Sequence, residues 1–184
     1  MTTLYIVLAV LVVLILWVVL SYNGFVSKVN QAKEAWADID VQLKRRYDLI
    51  PNLVEAVKGY AAHESQAFEN VTKARTAAMS AGTPASKADA ENQLSGTLKT
   101  LFAVAEAYPE LKANQNFLQL QQELGNTEDK IQAARRFYNG TVRDLNTAIE
   151  SFPGNVIAAN FHFAKMDLFE LADEAAREPV KVSF

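Results

Sequence analysis

From Leu4 to Leu20 the chain reads LYIVLAVLVVLILWVVL, an unbroken apolar run, and beyond it apolar residues return at helical spacing among polar ones. As a helix the run rises about 26 Å at ~1.5 Å per residue, and the flanks Thr2, Thr3, Ser21 and Tyr22 bring it close to the ~30 Å hydrocarbon core of a bilayer. One transmembrane anchor, residues 1–22, is the expectation. A cleaved secretory signal competes with it, but Met1-Thr2-Thr3 has no Lys or Arg and no A-x-A pattern follows Leu20. The first basic residues, Lys28 and Lys33, lie beyond the run, which predicts a cytoplasmic domain, with a periplasmic one as the alternative.

Every seventh residue from Tyr22 is apolar: Tyr22, Val29, Trp36, Leu43, Ile50 and Val57, with Ala32, Ile39 and Leu53 in the interleaved positions. Such a heptad seam needs a helical partner. A second seam has matching length: Phe117, Leu124, Ile131, Tyr138, Leu145 and Phe152, with Leu120, Ala134 and Ala148 interleaved. Between them, Ser65 can cap a helix carrying Phe68, Val71 and Ala78. The stretch Ser80 to Ser86 reads as a loop, and Asp89 precedes a stripe of Leu94, Leu98, Leu101, Phe102 and Ala105 that meets Pro109. The predicted fold is all-α: an N-terminal transmembrane helix, an antiparallel up-and-down four-helix bundle over 23–154, then a short C-terminal helix and extended tail over 155–184. If Gly59 to Glu64 does not break the first helix, a three-helix hairpin results instead.

Residues 155–184 leave the heptad pattern. Phe152-Pro153-Gly154 ends the last long helix, and Asn155 can start a short one containing Val156, Ile157, Phe161, Phe163, Phe169 and Leu171. Its phenylalanines either cap the bundle core or form an amphipathic lid on the bilayer, although Asp167, Glu170, Asp173 and Glu174 oppose anionic headgroups. In the tail, Val180, Val182 and Phe184 alternate with polar residues, a pattern suited to strand addition onto a partner or to a groove of the bundle itself.

Composition narrows the chemistry. About 160 residues beyond the run suffice for one domain, and the absence of cysteine excludes disulfides, thiolate nucleophiles and cysteine metal sites. A net charge of −3, with acids and bases interspersed, provides no basic field for nucleic acid. His63-Glu64 opens an H-E-x-x-H pattern, but Ala67 stands where the second histidine belongs, and neither histidine completes an E-x-x-H di-iron motif. Phosphate-loop, dinucleotide and nucleophile-elbow motifs do not occur, so no enzyme activity, metal or cofactor is expected. Asn70-Val71-Thr72 and Asn139-Gly140-Thr141 match the glycosylation sequon inside helical stretches and are assigned no role.

Two polar groups interrupt the seams. Pro51 removes the donor owed to the Tyr47 carbonyl, so something else must satisfy that oxygen. Arg46 occupies an interleaved seam position, where its guanidinium meets a buried carboxylate or reaches water. Arg46, Asp48, Pro51 and Asn52 form either a notch for a ligand or partner or a device that sets helix register. On the last helix Arg135, Arg136, Tyr138 and Asn139 raise the same question, with Tyr138 stacking and Asn139 bridging backbone carbonyls across the bundle.

The run EAWADIDVQLKRRYDLIPNLVEAVKGYAAHE, followed by AEAYPELKANQNFLQLQQEL, RRFYNGTVRDLN and SFPGNVIA, closely resembles the LemA family. The resemblance covers nearly the whole chain. It implies a single-pass protein of the bacterial cytoplasmic membrane with a helical-bundle domain, and it implies no particular activity. Two function classes remain. The first is a non-catalytic scaffold or adaptor of the cell envelope that binds the bilayer and forms a homo-oligomer. The second is a sensor or accessory subunit for membrane protein quality control, with a membrane protease as partner.

Overall fold

The computed structural model describes residues 1–170. Among them there are only helices and connections: α1 (Thr2–Lys58), α2 (Ser65–Ser80), α3 (Pro84–Glu106), α4 (Pro109–Lys112), α5 (Gln115–Glu150) and α6 (Gly154–Asn160). The tail residues Val180, Val182 and Phe184, and Leu171 before them, lie outside the described residues.

The apolar run and the first seam form one helix, because neither Pro nor a turn sequence intervenes before Pro51. Ala32, Ile39, Leu43, Ile50, Leu53 and Val57 are buried on one face of it, as the seam requires, whereas Val29 and Trp36 are half-buried and Tyr22 is exposed. Gly59 to Glu64 does break the helix: Tyr60 and Ala61 both donate to the Val57 carbonyl, and Glu64 donates to Ala61. The condition for a three-helix hairpin is therefore not met.

Three boundaries differ from expectation. Glu64, not Ser65, occupies the cap position of α2, and it makes no side-chain cap bond. Helix α3 begins five residues ahead of Asp89, because Thr83 and Ser86 form a reciprocal capping box and Pro84 fits the first turn. The loop before it shrinks to Ala81–Thr83. Pro109 starts the single turn of α4 instead of merely ending α3, and the Asn114 side chain then accepts from the amides of Asn116 and Phe117 to open α5.

The second seam holds through Phe117, Leu124, Ile131, Tyr138 and Leu145 and then fails: α5 stops at Glu150 and Phe152 is 83% exposed. The short helix is also briefer than expected. It ends at Asn160, so Phe161, Phe163 and Phe169 lie beyond it.

The chain divides into two units, the first Met1–Asp40 with Gln132–Leu168, the second Val41–Ile131 with, among the described residues, Phe169 and Glu170. Within the first, Phe25, Leu145, Ile157 and Ala158 form a core against which Trp17, Val18, Val29, Ala148, Phe163 and Met166 pack. Trp36 meets Tyr138 with ring centroids 5.2 Å apart. As α1 descends from Trp36 to Phe25, α5 advances from Tyr138 to Leu145, so the two are antiparallel here. Within the second unit α2 packs on α3, and Phe68, Val71, Leu94, Leu98, Leu101, Leu111 and Leu124 are buried with the upper part of the first seam.

Candidate functional site

Successive helical residues point about 100° apart, so Lys44, Arg45 and Arg46 take three directions. Lys44 reaches Asp48 one turn on at 2.7 Å, and Arg45 faces Glu123 at 3.5 Å; both pairs are solvent-exposed and contribute little. Arg46 turns inward and is 2% exposed. Its guanidinium pairs with Glu91 of α3, itself 0% exposed, and with Glu128 of α5 at 2.7 Å. The Tyr47 hydroxyl donates to the other oxygen of Glu91.

Three helices of the second unit thus converge on one cation between two carboxylates. Nε of Arg46 and Oε1 of Gln42 stay buried without a hydrogen bond. A buried network with orphaned atoms is costly to desolvate, and its ion pairs tie these three helices together.

Pro51 leaves the Tyr47 carbonyl open, and the structure supplies the missing donor: Nε of Arg75, from α2, sits 2.7 Å away. Asp48, Pro51 and Asn52 are all exposed. The four residues read as one notch are therefore not brought together, since Arg46 faces the core and the other three face solvent.

In the first unit Tyr138 is buried against Trp36, and its hydroxyl donates to the Asp167 carbonyl at 2.8 Å. Burial, and secondarily the charge of Asp167, raise its pKa above the usual tyrosine value. Arg136 is exposed, and Asn139 is half-buried on the same helix. Two turns further along the same helix, the amide of Asn146 bridges backbone groups. Its Nδ2 donates to the Met166 carbonyl at 2.9 Å and its Oδ1 accepts from the Met166 amide at 3.0 Å. This pair straps the non-helical 161–168 segment onto α5.

Close to that strap, Phe25 stacks on Phe163 at 5.0 Å, while Tyr22 meets Phe161 edge-on at 4.9 Å and Phe163 at 5.6 Å. At the start of α6, Gly154 allows close approach to the end of α5: a Cβ there would stand 2.8 Å from the Ala148 carbonyl oxygen and 3.4 Å from the Phe25 ring.

Glu91, Glu128, Arg75 and Asn146 were missed in the sequence, though two carried a signal. Glu91 sits three residues before Leu94 on the apolar stripe of α3, and Arg75 lies between Val71 and Ala78 on the buried face of α2. A charged residue on an apolar stripe implies a buried partner.

Among the described residues, fold and site define an all-helical protein whose first helix is long and apolar enough to cross a bilayer and whose Arg46 and Tyr138 side chains are buried. The family is established by comparison with known proteins. The chain belongs to the LemA family, whose model matches residues 35–184, as the four motifs implied. It is 27% identical to Protein LemA of Metamycoplasma hominis over 87% of this chain and 71% of that protein. It is 24% identical to Magnetosome protein MamQ of Magnetospirillum gryphiswaldense over 86% and 68%. With Magnetosome protein MamQ 2 of Paramagnetospirillum magneticum the figure is 25% over 81% and 64%.

Proposed function

We propose that the chain is a membrane-anchored, non-catalytic scaffold of the bacterial cell envelope. Its soluble part is read as an up-and-down four-helix bundle on the cytoplasmic side of the inner membrane. The observation that carries this reading is the exposed apolar run Leu4–Leu20, which continues as a single helix into the helical domain. A large apolar surface of this kind needs lipid or a partner. Lys28 and Lys33 beyond the run support the cytoplasmic side. The family relatives are named as magnetosome and LemA proteins, and neither name denotes a reaction. The buried Arg46 and Tyr138 are engaged within the chain, which favours structural over ligand-binding roles for them. Self-association is assigned to the apolar run and to the tail of residues 179–184, in which Val180, Val182 and Phe184 alternate with polar residues.

The size of detergent-extracted full-length protein, measured by light scattering with and without residues 179–184, tests the proposal. A homo-oligomer that shrinks on removal of the tail supports it. A monomer ends the scaffold reading, and a monomer that co-purifies with a membrane protease supports the accessory-subunit reading in its place.

A further inference from the structure

Helix α6 and the residues around it lie beside the apolar run. Of Met1 to Leu20, only Trp17 and Val18 are partly covered, and they pack against the cluster formed by Phe25, Leu145, Ile157 and Ala158. Helix α6 supplies Ile157 and Ala158 to that cluster, so it lies near the depth of Trp17 and Val18 when the run enters a bilayer. The run is only just long enough to span the hydrocarbon core, so Trp17 and Val18 sit within it or at its edge.

The segment has the composition for that depth. Residues 151–164, SFPGNVIAANFHFA, contain no Asp, Glu, Lys or Arg, in a chain where such residues make up 21%. On α1 the first charge is Lys28, so two uncharged stretches meet at one end of the unit. Charge resumes on both sides of 151–164 with Glu150 and Lys165, which pair with each other. Ile157 and Ala158 face inward, whereas Phe152, Val156 and Phe161 are 83%, 49% and 47% exposed. The intervening Asn155, Asn160 and His162 suit a headgroup layer.

We infer that residues 151–163 form a second membrane element, a wedge beside the anchor in which Phe152, Val156 and Phe161 enter the lipid at the boundary between hydrocarbon and headgroups. The occupant of this apolar surface is lipid, because the surface is continuous with the apolar run. With no net charge on the wedge, its insertion depends on apolar area and is indifferent to anionic lipid and to salt. The inference rests on the anchoring part of the proposed function and is independent of self-association.

The native chain has no cysteine, so single labels are unambiguous. Full-length Phe152→Cys, Val156→Cys, Phe161→Cys and, as the reference, Lys33→Cys would each carry an environment-sensitive fluorophore. The labelled proteins are reconstituted in phosphatidylcholine vesicles containing a nitroxide lipid labelled high on the acyl chain. The expected result is lipid quenching about threefold stronger at 152, 156 and 161 than at 33, with the order reversed for aqueous iodide. Protein that enters the vesicles but whose three labels respond to iodide as Lys33→Cys does overturns the wedge and leaves the anchor standing. Labels shielded from both quenchers, and released on dilution with lipid, assign the surface to a second copy of the chain and overturn the lipid assignment. Protein absent from the vesicle fraction overturns anchor and wedge together.

Discussion

The two units bury polarity by opposite means. In the second, an arginine is enclosed between two carboxylates, one of which also accepts from a tyrosine hydroxyl. In the first, neutral groups are matched to backbone: Asn146 holds both polar atoms of Met166, and Tyr138 holds the Asp167 carbonyl. A neutral amide against backbone loses little when one bond is cut, whereas a buried charge that loses its partner cannot be hydrated. The second unit should thus be intolerant of single substitutions at its polar centre. The first should tolerate them and depend instead on its aromatic contacts.

The sharpest way to break this contrast is at Arg46. Arg46→Ala strands Glu91 and should destabilise the protein by about 3–5 kcal/mol, read as a fall in the thermal midpoint by circular dichroism. Replacing Arg46 and Glu91 together by leucine should recover most of that loss, because the pair's cost lies in desolvation. A double variant as unstable as the single one would show that the network contributes net attraction.

In the first unit, Trp36→Ala should cost about 2–3 kcal/mol, less than the ~3–5 of a fully buried aromatic because Trp36 is half-buried against Tyr138. A loss under about 1 kcal/mol would mean that the ring contributes little to the core.

Tyr138→Phe should have the smallest effect at neutral pH, about 1 kcal/mol for one hydrogen bond. Its informative behaviour is at alkaline pH. A tyrosine whose folded pKa lies above its unfolded value of ~10 contributes stability below pH ~10 and loses it as pH rises through the folded value. The wild-type chain should therefore lose more stability above pH ~10 than Tyr138→Phe does. Parallel pH profiles would remove the burial argument.

How much was legible depended on whether a residue's role is local or shared. Periodicity alone located both seams, since Leu43, Ile50 and Val57 announce a buried face without reference to any partner. The open carbonyl at Tyr47 and the inward turn of Arg46 could also be deduced, being consequences of Pro51 and of seam position. The groups that answer them could not: Glu91 and Glu128 are 45 and 82 residues from Arg46, and no local rule relates them. Helix ends were misplaced where capping decided them, as at Thr83, because a capping box competes with the stripe-based start at Asp89. The aromatic end of the first unit was only half legible. Phe161 and Phe163 were recognised as unusual, but that Tyr22 and Phe25 meet them emerges only from the packing.

The bond from Arg75 to the Tyr47 carbonyl carries a consequence for genetics. Loss of Arg75 removes one surface-near cation on paper, yet physically it reopens a gap in the backbone of a different helix, created by Pro51. Such a defect has a natural suppressor: Pro51→Ala restores an amide able to bond the same oxygen, so the second change should mask the first. Positions 51 and 75, a residue with no donor and a side chain that lends one, would then vary as a unit in any search for revertants.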